Sequence, residues 1–168
     1  MKKITFSLIL LSSLLTANSV GEFGLGYAKG NNADNYITAF GSLHFLGNFA
    51  ARLEYTKNIT QNPDFSAEDI VRYGLFATYT LPLPIDFSVT PKIGLIKTDG
   101  SFKLLDTAKE LSESSTEFTY GLEVNYALSD EISAFVGYTD YGNKLDIQDI
   151  DTSKMDTANY TFGIKMTL

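Results

Sequence analysis

The chain has 168 residues and a formal net charge of −7, with 13 basic against 20 acidic residues and no cysteine. So acidic a balance argues against nucleic acid as a partner, because phosphate binding draws on clustered Lys and Arg. Without cysteine there is neither a disulfide framework nor a thiolate metal site, and the length suits a single domain.

Met1-Lys2-Lys3 is a short basic region, followed by a largely apolar run from Ile4 to Leu15. Ala17-Asn18-Ser19 then puts small residues at positions −3 and −1 of a cleavage site. This pattern predicts a cleavable secretory signal peptide over residues 1–19, the run being too short for a spanning helix. The alternative is an uncleaved anchor. Removing 19 of 168 residues leaves 149, and losing Lys2 and Lys3 leaves 11 basic against 20 acidic residues. Residues 20–168 are then one domain.

Eight segments follow in which every second residue is apolar, the period of a strand with one greasy and one wet face. In chain order the apolar positions are Phe23, Leu25, Tyr27; then Ile37, Ala39, Gly41, Leu43, Phe45; then Phe49, Ala51, Leu53, Tyr55. Next come Val71, Tyr73, Leu75, Ala77, Tyr79, and Phe87, Val89, Pro91, Ile93, Leu95. The sixth segment gives Phe118, Tyr120, Leu122, Val124, Tyr126, and the seventh Ile132, Ala134, Val136, Tyr138. In the second segment Tyr36 and Phe40 lie in the opposite phase, so its phase is open. The eighth ends the chain: Tyr160, Phe162, Ile164, Met166 and Leu168, with Thr161, Gly163, Lys165 and Thr167 between them. A barrel in lipid needs such a strand to close onto the first, because an open edge leaves backbone groups unpaired. Segments of about ten residues fit tilted strands that cross a bilayer.

The links alternate in length. Gly47-Asn48, Leu81–Asp86 and Ser129-Asp130 are short, whereas Lys29–Asn35, Asn58–Asp69, Lys97–Ser115 and Tyr141–Thr157 are long. Tight periplasmic turns and free extracellular loops produce this asymmetry. Thr107–Leu111 reads as a helical turn and Lys144–Asp151 as a strand-like extension. Asp146, Asp149, Asp151 and Asp156 do not match the calcium-loop spacing, so no metal and no cofactor is assigned.

Aromatic residues fall in two rows. Phe23, Phe45, Phe49, Tyr79, Phe87 and Tyr126 lie near the short-turn end; Tyr27, Tyr55, Tyr73, Phe118, Tyr120, Tyr138 and Tyr160 lie near the long-loop end. Two such rows are expected of interfacial girdles. The opposite phase is Gly, Ser, Thr and Ala interspersed with Glu22, Arg52, Glu54, Arg72, Lys92, Glu117, Glu123 and Lys165. Eight strands enclose a space that side chains can fill, and charges there must be paired. The expected partners are Glu54 with Arg72, Lys92 with Glu123, and Lys165 with Glu22.

The whole mature chain resembles the small eight-stranded outer-membrane β-barrels, the group that holds the OmpA transmembrane domain, OmpX, OmpW and the opacity-type proteins. The local matches are Thr90-Pro91-Lys92-Ile93-Gly94-Leu95 and Phe135-Val136-Gly137-Tyr138-Thr139-Asp140-Tyr141. Thr139 stands where an Arg often follows the Tyr, and Leu168 where the family usually ends in Phe or Trp.

The resemblance implies an all-β, eight-stranded antiparallel up-and-down transmembrane barrel in the bacterial outer membrane. Its partners would be outer-membrane lipids, periplasmic chaperones and the barrel-assembly machinery, with an extracellular ligand at the loops and a monomeric state. A charged interior network like that of the OmpA domain is also implied. The function expected is a structural or surface-interacting scaffold, non-enzymatic, with a mostly plugged lumen.

Three other functions stay open at this point. One is a narrow, low-conductance pore gated by the charges. Another is a lipid A-modifying barrel enzyme, for which Ser42 and His44 share a strand face. The third is a soluble periplasmic calyx-type barrel with its apolar face inward.

Overall fold

The computed structural model describes residues 21–30, 34–60, 65–104, 110–142 and 158–168. The proposed signal peptide, the Lys144–Asp151 segment and the acidic positions Asp146, Asp149, Asp151 and Asp156 lie outside them. Among the described residues no helix is long and apolar enough to cross a membrane.

The strands are β1 (Gly21–Gly30), β2 (Asn35–Leu46), β3 (Phe49–Asn58), β4 (Phe65–Tyr79), β5 (Leu81–Pro82), β6 (Phe87–Leu104), β7 (Glu110–Ala127), β8 (Ile132–Asp140) and β9 (Ala158–Thr167). Each pairs antiparallel with its neighbour. The two-residue β5 extends the edge of β4 along β6. β4 pairs with β6 and β9 with β1, so eight strands close into a barrel with no free edge. The amide of Leu168 donates to the carbonyl of Gly21 at 2.8 Å, which completes the seam.

The register shows the stagger that closure demands. Tyr27 lies opposite Ile37, then Lys57, Val71 and finally Asp99 on β6 in one direction. In the other it lies opposite Phe162, Val136, Val124 and finally Val89 on the same strand. The ladder returns displaced by 99 − 89 = 10 residues, which tilts the strands by roughly 35–45° to the barrel axis.

The wall is inside-out relative to a soluble domain. No residue of the apolar phase is buried, and Phe45, Leu53 and Val136 are 67%, 63% and 58% exposed. The opposite phase is buried and polar, with Arg52, Glu54, Arg72, Lys92, Glu123 and Lys165 among it. A calyx-type soluble barrel would show the reverse, and an apolar belt of this extent belongs in lipid. The phase of β2 is settled as well: Ile37 and Phe45 face outward, while Tyr36 and Phe40 are buried inside.

The expected Lys97–Ser115 loop is instead the upper part of a hairpin. β6 and β7 stay paired from Lys97↔Thr116 up to Lys103↔Glu110. Alternation stops marking a strand once it leaves lipid, because both faces are then wet; Thr98, Asp99, Ser101, Ser112 and Ser114 still ladder. For the same reason Glu110 and Leu111 belong to β7 and not to a helical turn, while residues 107–109 lie outside the described part. β4 likewise begins at Phe65, inside the expected Asn58–Asp69 loop. In this upper hairpin, hydrogen bonds from Lys97 and then Ser114 hold the Asp99 carboxyl below its ordinary value. A depressed carboxylate stabilises the fold above its unfolded value and loses that contribution as pH falls through the folded value. Acidification below about pH 4 therefore loosens the upper β6–β7 ladder first, read as loss of amide protection at Thr98–Ser101.

The short turns carry the backbone exceptions. Gly47 has φ +54° beside a bulge between His44 and Leu46, a conformation that costs glycine nothing. Ile85 has φ +63° and is 81% exposed, so a β-branched residue occupies a left-handed turn with nothing packed on it. Ile85→Gly is expected to raise the unfolding free energy by about 1 kcal/mol, measured by denaturant titration of the folded barrel in lipid.

Candidate functional site

The inward faces meet in one charged layer. Arg52 on β3 crosses the lumen to β7, where its Nη1 donates to Glu123 Oε2 at 2.8 Å and its Nη2 to Oε1 at 3.5 Å. Its Nε donates to the Ser42 hydroxyl at 3.0 Å, and the guanidinium lies 3.9 Å above the Phe40 ring centroid. Glu22 sits 3.8 Å from Nη2 and 3.1 Å from Lys165 Nζ; Lys165 is also 3.4 Å from Glu123. Lys92 extends over the Phe76 ring, 4.6 Å from its centroid, to reach Glu54 Oε2 at 2.7 Å. Arg52 is 1% exposed, and its bonds to Glu123 span the lumen from β3 to β7. At the interior's low dielectric only such multiply bonded ions repay their desolvation.

Polar layers lie on either side. Toward the short turns Asn125 Nδ2 donates to Thr90 Oγ1 at 3.1 Å and Ser88 Oγ at 3.2 Å. Toward the long loops the hydroxyls of Thr38 and Thr56 lie 3.0 Å apart. Above them Arg72, 2% exposed, is held between the Tyr36 and Tyr141 rings at 4.8 and 4.6 Å.

Lys165 lies beside Glu22, but two expected partners differ. Arg72 is opposite Thr56, not Glu54, which is opposite Gly74. Glu54 passes over that glycine to Lys92, two strands away, and Glu123 is left to Arg52 and Lys165. The stagger decides this: in a tilted barrel the nearest charge lies across the lumen, not along the hairpin. Glu117, opposite Ile96 and half-buried, joins no ion pair among the described residues.

The inward aromatics Tyr36, Phe40, Phe76, Phe135 and Tyr141 were not anticipated as lumen residues. For Phe40, Phe76 and Phe135 the signal is a glycine opposite the ring, Gly24, Gly94 and Gly163 respectively. Phe40 is opposite Gly24, where an added Cβ would strike the ring, and Phe40 meets Phe135 edge-on at 5.5 Å. That cue is readable only once register is known.

Of the two aromatic rows, Phe23, Phe45, Phe49, Phe87 and Tyr126 are exposed near the short turns and Tyr79 is half-buried against Phe49, ring centroids 4.5 Å apart. Near the long loops Tyr55, Tyr73, Phe118, Tyr120 and Tyr160 are exposed and Tyr27 and Tyr138 half-buried. Tyr55 packs on Tyr73 and Tyr138 on Tyr160, and the Tyr120 hydroxyl donates to Asp140 at 3.1 Å. On the terminal strand Tyr160, Phe162, Ile164, Met166 and Leu168 all face outward. Ser42 is engaged by Arg52, and His44, half-buried, lies opposite Ala50 at the short-turn end.

Known proteins with this architecture bear on what it is. The N-terminal β-barrel domain of Pseudomonas aeruginosa OprF superposes with a TM-score of 0.68 at 9% identity, covering 89% of this chain and 97% of that one. Ail, the attachment invasion locus protein of Yersinia pestis, gives 0.55 at 12% identity, covering 89% and 97%. Neisserial surface protein A gives 0.57 at 12%, covering 89% and 96%. A sequence search of curated proteins finds no match. The family model described as outer membrane protein beta-barrel domain matches residues 11–167. The chain thus belongs to the outer membrane protein beta-barrel domain family, and its place is the bacterial outer membrane.

Proposed function

We propose that this barrel is a sealed, monomeric, non-enzymatic scaffold, oriented with its short turns in the periplasm and its long loops outside. The observation that carries the reading is Arg52, buried and bonded across the lumen to Glu123 at 2.8 Å. In this reading the bridge closes the middle layer to water, and the loops and the hairpin ends are the parts that meet a partner. Ail is an attachment invasion locus protein and another neighbour a surface protein, and recognition at the loop end of this chain fits that company.

The rival is a narrow pore. In its favour, a gap of about 10 Å³, room for one water, is lined by Glu54, Lys92 and Glu123 among others. Liposome swelling separates the two. Vesicles carrying the folded barrel are expected to hold small sugars and salts as tightly as empty ones; rapid swelling would favour the pore. The orientation has its own test, because the chain lacks cysteine. Ser114→Cys should react with an impermeant maleimide on intact cells, and protection of that site would reverse the orientation.

A further inference from the structure

Among the described residues the two rims of the barrel differ in charge. At the long-loop rim the outward lysines Lys29, Lys57 and Lys97 stand beside Asp69, Asp99 and Asp140, and two of the three are paired to acids. At the short-turn rim Asp86, Asp130 and Glu131 are all exposed, and no described lysine or arginine is exposed with them. Arg52, Lys92 and Lys165 are turned into the lumen.

Apolar side chains project from the same acidic rim. Ile85 is 81% exposed, the highest value among the described large apolar residues, and Leu83 and Leu128 are exposed as well. Ile85 precedes Phe87 by two residues and Leu128 follows Tyr126 by two, so both stand beyond the aromatic row and outside the wall. The two turns touch. The Ala127 amide donates to the Asp86 carbonyl at 2.9 Å, which continues the Phe87↔Tyr126 pairing by one step and brings the turns side by side.

Neither turn is loose. The Leu83 amide donates to the Phe87 carbonyl at 2.8 Å, and the Ser129 hydroxyl accepts from the Ile132 amide at 3.1 Å. Pro82 and Pro84 fix their own φ. Ile85 and Asp86 take φ of +63° and +59°, a region that L side chains, β-branched ones above all, rarely adopt. The fold thus holds Ile85 in a costly conformation and leaves its side chain in the open. Strain that contributes nothing to packing points to a use outside the fold. Lipid phosphate is not the complement of this rim, because three carboxylates repel it. An apolar surface edged with lysine and arginine is.

We propose that the turns at 81–86 and 128–131 dock a periplasmic protein that offers an apolar cleft rimmed by Lys and Arg, with Ile85 as the anchor buried on docking. The turns are already held in place, which keeps the ordering cost of association low. That the partner is periplasmic rests on the orientation proposed above.

The test is photo-crosslinking in intact cells of the native bacterium, with Leu128 replaced by benzoylphenylalanine. Leu53 on the outward wall, replaced in the same way, is the control. The site at 128 is expected to give a discrete protein adduct whose attachment point, mapped by mass spectrometry, is an apolar segment bordered by Lys or Arg. The site at 53 is expected to give lipid adducts only. Ile85→Gly, which relieves the turn and removes the anchor, should abolish the adduct at 128. Asp86→Asn, Asp130→Asn and Glu131→Gln together should lower its yield about fivefold. No adduct or lipid adducts alone at 128, an attachment point without basic residues, or a yield unchanged by Ile85→Gly or by the charge substitutions would overturn the proposal. Gel mobility before and after heating confirms that each variant is folded. An adduct with the expected properties in cells whose Ser114→Cys site is protected would reverse the orientation and leave the docking turns standing, with the partner outside the cell.

Discussion

Arg52→Ala is expected to lower the unfolding free energy by about 3–5 kcal/mol, the largest single effect in the barrel. Truncation removes two hydrogen bonds to Glu123 and one to Ser42, and strips Phe40 of its overlying cation. It also leaves Glu22 and Glu123 with Lys165 as their shared ion-pair partner among the described residues. Uncompensated buried charge, more than lost contact, sets the cost. Arg52→Met combined with Glu123→Gln removes both charges and keeps an apolar chain over Phe40. The double variant should lose less than the sum of its single changes, by at least about 1 kcal/mol of coupling. Guanidinium unfolding of the barrel in lipid vesicles measures all three. Strict additivity would mean that Arg52 and Glu123 are neighbours without being partners.

Gly94→Ala and Gly163→Ala are expected to cost about 3 kcal/mol each, or to stop folding. A Cβ at Gly94 would run into the carbonyl oxygen of Leu75, with the Cα of Phe76 at 2.8 Å. At Gly163 it would strike the carbonyl of Leu25, with the Cα of Gly26 at 2.6 Å. These obstacles are backbone in neighbouring strands and cannot rotate aside, so one strand would have to leave the ladder. The control is Gly41→Ala, whose new methyl finds only open space; it should be neutral or stabilising by about 0.5 kcal/mol, since glycine weakens a strand interior. Denaturation midpoints of the three variants rank them, and a Gly94→Ala barrel as stable as Gly41→Ala would contradict the tight strand approach.

Much of this architecture was legible before any coordinates. The alternation of Tyr160, Phe162, Ile164, Met166 and Leu168 marks a lipid-facing strand because only a membrane rewards that pattern on an outer wall. The inward phase of Arg52, Lys92 and Glu123 follows from the same two-residue period. What alternation cannot convey is which inward residues meet across the lumen, because that depends on the ten-residue stagger. Hence Glu54 reaches Lys92 rather than Arg72. Nor can it foresee that Tyr36 and Phe40 turn inward as platforms for Arg72 and Arg52. An aromatic ring satisfies lipid and cation alike, so its phase is decided by the strand and not by its own chemistry. The upper β6–β7 ladder carries no alternation for a simpler reason: above the bilayer no face needs to be apolar.

The proposed sealing of the lumen is tested most directly by single-channel recording of the refolded mature chain in a planar bilayer. Folded, inserted barrels should be electrically silent, and should remain so when Lys92 or Glu123 is neutralised singly, because Arg72, Tyr36 and Tyr141 still occupy the layer above. Discrete, reproducible conductance steps in the unmodified barrel, altered by Lys92→Gln or Glu123→Gln, would contradict the scaffold and establish a pore gated by the charged layer.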